Sequence, residues 1–119
     1  MNRRMARLNG LFQEQIAELI RELRDPRLAP IISITSVDIS PDLETGVVNV
    51  SVFGEEEEKK STIEALTHAT PFLRRELLRR IRIRHIPALT FVLDETIEEA
   101  ARILALMRKV SPGPEKPAG

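Results

Sequence analysis

The sequence predicts an α+β sandwich, with helices covering one face of a three-stranded sheet. Three observations carry this. Apolar residues recur at three- and four-residue spacing over 8–23, 63–77 and 97–110. Three short stretches between them alternate in the two-residue period of a strand. Their order is helix, strand, strand, helix, kink, helix, strand, helix, and burying such stripes against one sheet is the economical arrangement.

Residues 5–24 read as a helix, because Leu8, Leu11, Phe12, Ile16, Leu19, Ile20 and Leu23 form one apolar stripe. Pro26 and Pro30 in "RDPRLAP" stop it, since the residue before a proline is pushed out of helical geometry. "IISITSVDIS" is rich in β-branched residues and reads as a strand. "PDLETG" is a turn, and "VVNVSVF" is a second strand with Val48, Val50 and Val52 on one face, so the two form an antiparallel hairpin. "GEEEEKK" reads as a solvated loop.

Ser61 and Glu64 fit a capping box at the start of a helix, and Ile63, Leu66, Ala69, Leu73 and Leu77 continue at helical spacing. Pro71 interrupts them. A proline in a helix interior lacks its donor and clashes with the preceding turn, whereas Thr70-Pro71 makes a good cap and first residue. Two helices are therefore expected, about 61–69 and about 71–81, meeting at a kink. "HIPALTFVLD" is a third strand. Thr96 and Glu99 form another capping box. The last helix runs to about Val110, with Ile97, Ala100, Ile103, Leu104, Met107 and Val110 inward. The tail, 111–119, has three prolines and two glycines in "SPGPEKPAG" and is expected to be disordered, leaving 1–110 as one domain. These stripes and caps predict a self-sufficient monomer with no apolar face left over.

Composition limits the function. The chain has 119 residues and no cysteine, which excludes disulfides and thiolate metal sites. No apolar run reaches membrane-spanning length, and the polar residues inside the N-terminal stretch break any signal-peptide core, so a cytoplasmic protein with no membrane partner is expected. His68 and His85 have no metal-ligand spacing, and the five glycines are scattered rather than gathered in a phosphate loop. Glu98 and Glu99 suit a helix N-terminus, and Glu55 to Glu58 suit a solvated loop. No metal, cofactor or catalytic residue is expected, so an enzyme is not.

One segment stands out. Eighteen basic and eighteen acidic side chains cancel overall, yet "FLRRELLRRIRIRH", Phe72 to His85, holds six arginines and one carboxylate. On a helix, Leu73, Leu77 and Ile81 mark the buried side, and Arg75, Arg79 and Arg82 recur on the opposite side. Arg74, Arg80, Arg84 and His85 lie beside them, and Arg3, Arg4 and Arg7 could extend the patch. Ordinary solvated charge is one reading. A polyanion partner is the other, favoured because only Glu76 is locally available to neutralise the six, and because the guanidinium fork suits phosphate. With no tryptophan or tyrosine, base stacking on single strands is disfavoured, and backbone and shape recognition of structured RNA is the expected mode.

"DPRL" (Asp25 to Leu28), "VDISPDL" (Val37 to Leu43) and "FLRRELLRRIRIRHIPALTFVLD" (Phe72 to Asp94) resemble, in order and spacing, the bacterial ribosome-binding factor A family over about residues 1–110. The resemblance implies a type II KH-like fold, with a kinked helix pair in place of the Gly-x-x-Gly loop. The family's Ala-x-Gly kink corresponds to Ala69-Thr70-Pro71, with proline replacing glycine. The C-terminal helix is extra to that fold. The resemblance also implies a non-enzymatic assembly factor. Such a factor binds the immature small (30S) ribosomal subunit and assists maturation of 16S ribosomal RNA, including its 5′ end, with a role in cold adaptation. Two other readings remain open from the residues: a general RNA- or DNA-binding module, and a protein-interaction domain using the N-terminal helix.

Overall fold

The computed structural model describes residues 3–110. The expectation of a disordered tail at 111–119 lies outside them. The elements are α1 (Arg3–Glu22), β1 (Ile31–Ile39), β2 (Thr45–Phe53), α2 (Glu56–Arg80), β3 (Ala88–Leu93) and α3 (Thr96–Val110). They form the expected α+β, type II KH-like arrangement. The sheet order is β1-β2-β3, with β1 antiparallel and β3 parallel to β2. A parallel neighbour needs a long crossover, and α2 supplies it.

Phe12, Ile16 and Leu19 of α1 meet Val48 and Val50 of β2 and Leu66, Leu73 and Leu77 of α2 in a core that excludes water. The other sheet face stays open, with Ile31, Val47, Phe53 and Val92 exposed. α1 is stitched to the sheet by side-chain amides: Asn9 accepts from the Ile39 amide at 3.0 Å, and Gln13 donates to the Ile34 carbonyl at 3.0 Å. A bulge lies between Ile34 and Ser36. The additional residue, Thr35, lets Ile34 and Val37 face the same core although they are an odd number of positions apart. The 23–30 connection is tied to α2, where Thr62 accepts from the Ala29 amide at 2.9 Å and Ser61 donates to the Arg27 carbonyl at 2.8 Å.

Several expectations need correction. "GEEEEKK" is mostly helix: α2 begins at Glu56, and the Glu55 amide donates to Glu58 Oε1 at 2.9 Å. The acids of this run suit the positive end of the helix dipole. Ser61 therefore sits within the helix and caps nothing. The two helices expected on either side of Ala69-Thr70-Pro71 are one element, with Pro71 in its interior. Thr67, whose carbonyl loses its donor to Pro71, is exposed and can be hydrated, and Pro71 and Phe72 lie on the same water-facing side. The Thr70 hydroxyl donates to the Leu66 carbonyl at 3.0 Å, as an internal residue does rather than a cap. Thr96 does not cap α3 either. Its amide and hydroxyl donate to Asp94, at 3.0 and 2.6 Å.

The largest correction concerns α3. Its stripe does not face inward: Ile97 is 71 % exposed, and Ala100, Ile103, Leu104 and Met107 are exposed too. The helix-bearing face of the sheet is already filled by α1 and α2. Among the described residues, α3 is held at its start by Lys59, whose buried ammonium lies 3.0 Å from Glu95 and 2.5 Å from Glu98. Glu98 first, and Glu95 with it, hold the lysine well above its usual pKa. An apolar face is thus left over, contrary to expectation.

Candidate nucleic-acid interface

The arginine segment is built from two local structures with one logic. Through Arg80 it is helix, and Leu73 and Leu77 are its fully buried pegs. At Ile81 the backbone turns extended, with φ −117° and ψ 134°. From there the period changes from helical to alternating. Ile81 is buried and Ile83 packs against the core, while Arg82 and Arg84 point to water. Arg82 therefore does not continue the helical row of Arg75 and Arg79. The alternation Ile-Arg-Ile-Arg was visible in the sequence and marks this change. His85 also precedes the third strand, which starts at Ala88 rather than His85.

The structure divides the arginines by what they touch. Arg74 donates to the Ile86 carbonyl and so pins the loop to the helix. Arg80 lies 3.6 Å from Glu18 and 3.7 Å from Glu22 of α1. These two carboxylates, distant in sequence, supply neutralisation that the local sequence lacks. Arg79 approaches Glu76 at 3.3 Å but is largely exposed. His85 Nε2 is 3.9 Å from Glu44, both exposed. Arg75, Arg82 and Arg84 make no ion pair among the described residues and are exposed.

Two hollows flank the 81–87 connection. One is lined by Pro71, Arg74, Arg75, Leu78, His85 and Ile86. The other is lined by Arg4, Arg7, Leu8, Leu11, Leu43 and Ile83. The second brings the start of α1 beside the arginine segment. Arg3 is exposed in the first turn of α1 and lines neither hollow. Leu43, missed as a site residue, belongs to this neighbourhood. So do Leu8 and Leu11, expected only in the apolar stripe of α1, and Ile83. Because α1 buries Phe12, Ile16 and Leu19 in its own core, it offers a protein partner little of its stripe.

Unpaired guanidiniums held out by buried apolar pegs can engage phosphate oxygens in pairs. Among the described residues, no group of three or more acidic or histidine side chains could hold a metal ion. No described helix is long and apolar enough to cross a membrane.

Residues 4–107 match the family model described as Ribosome-binding factor A. Among curated relatives, a ribosome-binding factor A from Lachnoclostridium phytofermentans is 42 % identical over 111 residues, covering 92 % of this chain and 82 % of that protein. One from Dictyoglomus thermophilum is 41 % identical over 111 residues, covering 92 % of each. A crystal structure of ribosome-binding factor A from Thermus thermophilus superposes with a TM-score of 0.68 at 34 % identity, covering 75 % of this chain and 93 % of that one. A Thermus thermophilus homology model fitted into a cryo-EM map of a complex of that factor with the 30S subunit gives a TM-score of 0.62 at 33 % identity, covering 73 % and 91 %.

Proposed function

The chain belongs to the ribosome-binding factor A family, and we propose that it binds the small ribosomal subunit through its arginine face. The observation that carries this is the set of outward guanidiniums of Arg75, Arg82 and Arg84, without an ion pair among the described residues and anchored by buried Leu77 and Ile81 and packed Ile83. Arg79, Arg4 and Arg7 extend it. Supporting the choice of partner is the Thermus thermophilus relative, seen in complex with the 30S subunit.

The finer reading is that of a cytoplasmic, non-enzymatic assembly factor. It engages the 16S ribosomal RNA of the immature subunit by backbone and shape, and assists its maturation, including the 5′ end, most importantly in the cold. The contribution is binding energy delivered to one RNA conformation, with no bond made or broken by the protein. The test is sedimentation of the full chain with isolated small subunits and with translating ribosomes over a salt series. Salt-sensitive co-sedimentation confined to free small subunits is expected. Salt-insensitive binding, or equal binding to any duplex, overturns it.

A further inference from the structure

α3 carries an apolar stripe that the described residues leave uncovered. Ile97, Ala100, Leu104 and Met107 recur at three-, four- and three-residue intervals, the seam spacing of paired helices. Ala101 and Ile103 border that seam. Every side chain from Glu99 to Lys109 is exposed. A helix of 15 residues is marginal in water unless its apolar face is covered. The expectation of a monomer rested on no such face being left over.

The charges along α3 decide what can cover it. Its start is acidic: Asp94, Glu95, Glu98 and Glu99 outnumber the cations that meet them, Lys59 and Arg102. Its end is basic: Arg108 and Lys109 stand in a last turn without a carboxylate. A uniformly acidic or uniformly basic partner would meet like charge at one end. A helix of reversed polarity meets opposite charge at both ends, and α3 turned end for end is such a helix. The two helix dipoles then also oppose. A parallel pair would set the basic ends side by side, and the acidic starts likewise.

We propose that α3 of two copies of the chain pairs antiparallel about a two-fold axis. In that register Leu104 of one copy lies over Ala100 of the other, so a large side chain meets a small one, and Met107 lies over Ile97. Ile103 faces its own copy on one flank of the axis and Ala101 faces its own copy on the other, the self-complementarity that a two-fold interface requires. Arg108 lies beside the acidic start of the second copy. The pairing leaves the arginine segments clear. β3 enters the sheet at Ala88, opposite Thr45, and ends at Leu93, opposite Val50, so α3 departs from the end away from the arginines. Each helix is about 22 Å long. The interface is therefore small, and association is weak and reversible.

The test is sedimentation equilibrium of the full chain from about 1 μM to about 1 mM, the range in which a small interface associates. The apparent mass should climb toward twice that of one chain. Leu104→Glu should stay at one chain throughout with an unchanged melting temperature. Leu106→Glu, at an exposed leucine off the seam, should still associate. The chain has no cysteine, so the direction of pairing can be read by cross-linking. An equimolar mixture of Ala100→Cys and Leu104→Cys chains should form the mixed disulfide in preference to either self-linked pair. A wild-type mass of one chain at every concentration overturns the proposal and leaves the face to a different protein. A fall in melting temperature for Leu104→Glu at a concentration where the wild type is a single chain overturns it too, because α3 then packs on its own chain. Equal loss of association in both Glu variants overturns the seam, and preferred self-linking of Leu104→Cys overturns the antiparallel arrangement.

Discussion

The division of the arginines into presented and internally engaged groups gives a sharp contrast. Changing Arg75, Arg82 and Arg84 together to Gln removes three outward charges and touches no buried residue. If each contacts one phosphate, counterion release lowers the slope of log affinity against log salt by about 0.9 per contact, or about 2.7 for all three. Over a fourfold rise in salt, wild type should then lose about 40-fold more affinity than the triple variant. The melting curve should hold to within about 0.5 kcal/mol, the usual effect of surface substitution. Arg80→Gln should do the opposite. It breaks partly exposed ion pairs to Glu18 and Glu22, each worth roughly 0.2–1 kcal/mol, so stability falls slightly and the slope stays. Co-sedimentation with small subunits across salt, alongside urea denaturation of each variant, reads both quantities. An Arg80→Gln slope change equal to one third of the triple variant's would refute the division.

Pro71→Ala should stabilise the chain by up to about 3 kcal/mol in urea denaturation, because the exposed proline sits in a helix interior; no gain would place it at a helix start after all. Asp25 has its carboxyl lowered from 3.8 to about 2, chiefly by the Arg27 guanidinium. Its folded value is below its unfolded one, so its stabilising effect is full above about pH 4 and fades as pH falls through about 2. Asp25→Asn should flatten the acid limb of a stability–pH curve in that window, and parallel limbs would show that the pair adds nothing. Lys59→Met should speed amide exchange in the first turns of α3 and leave β2 protected, since Lys59 holds that helix through Glu95 and Glu98. Unchanged exchange would mean that something else anchors α3.

Period alone carried most of the fold. The stripe of Phe12, Ile16 and Leu19 and the alternation of Val48, Val50 and Val52 are each what a buried face requires. Pro71 misled because the penalty for an internal proline depends on whether the orphaned carbonyl can reach water, and Thr67 faces it. α3 misled because an amphipathic stripe records that a face is apolar, without recording that a neighbour exists. Within the site, Leu73, Leu77 and Ile81 were legible as pegs. The pairing of Arg80 with Glu18 and Glu22 was not, because it depends on how α1 lies against α2. Leu43 was hidden for a related reason: its positive φ, 62°, has no sequence signature in leucine.

Charge placement along α2 explains how a chain of net zero charge can present a strongly basic end. Its first turn holds Glu56, Glu57 and Glu58, and its last turn holds Arg79 and Arg80. Both ends complement the helix dipole, so separating the charges stabilises the helix rather than straining it. Long-range attraction to RNA stays small because the total is zero. The separation instead turns the molecule in the field of a polyanion, arginine end first. On this reading neutrality discourages indiscriminate binding, and the local arginine face takes over only at a distance comparable with the Debye length, about 8 Å at physiological salt. Reversing the first-turn acids (Glu56→Lys, Glu57→Lys) should therefore strengthen binding to an unrelated RNA duplex more than binding to the small subunit, as read by filter retention at fixed salt. An equal rise for both would show that the acidic end has no part in selection.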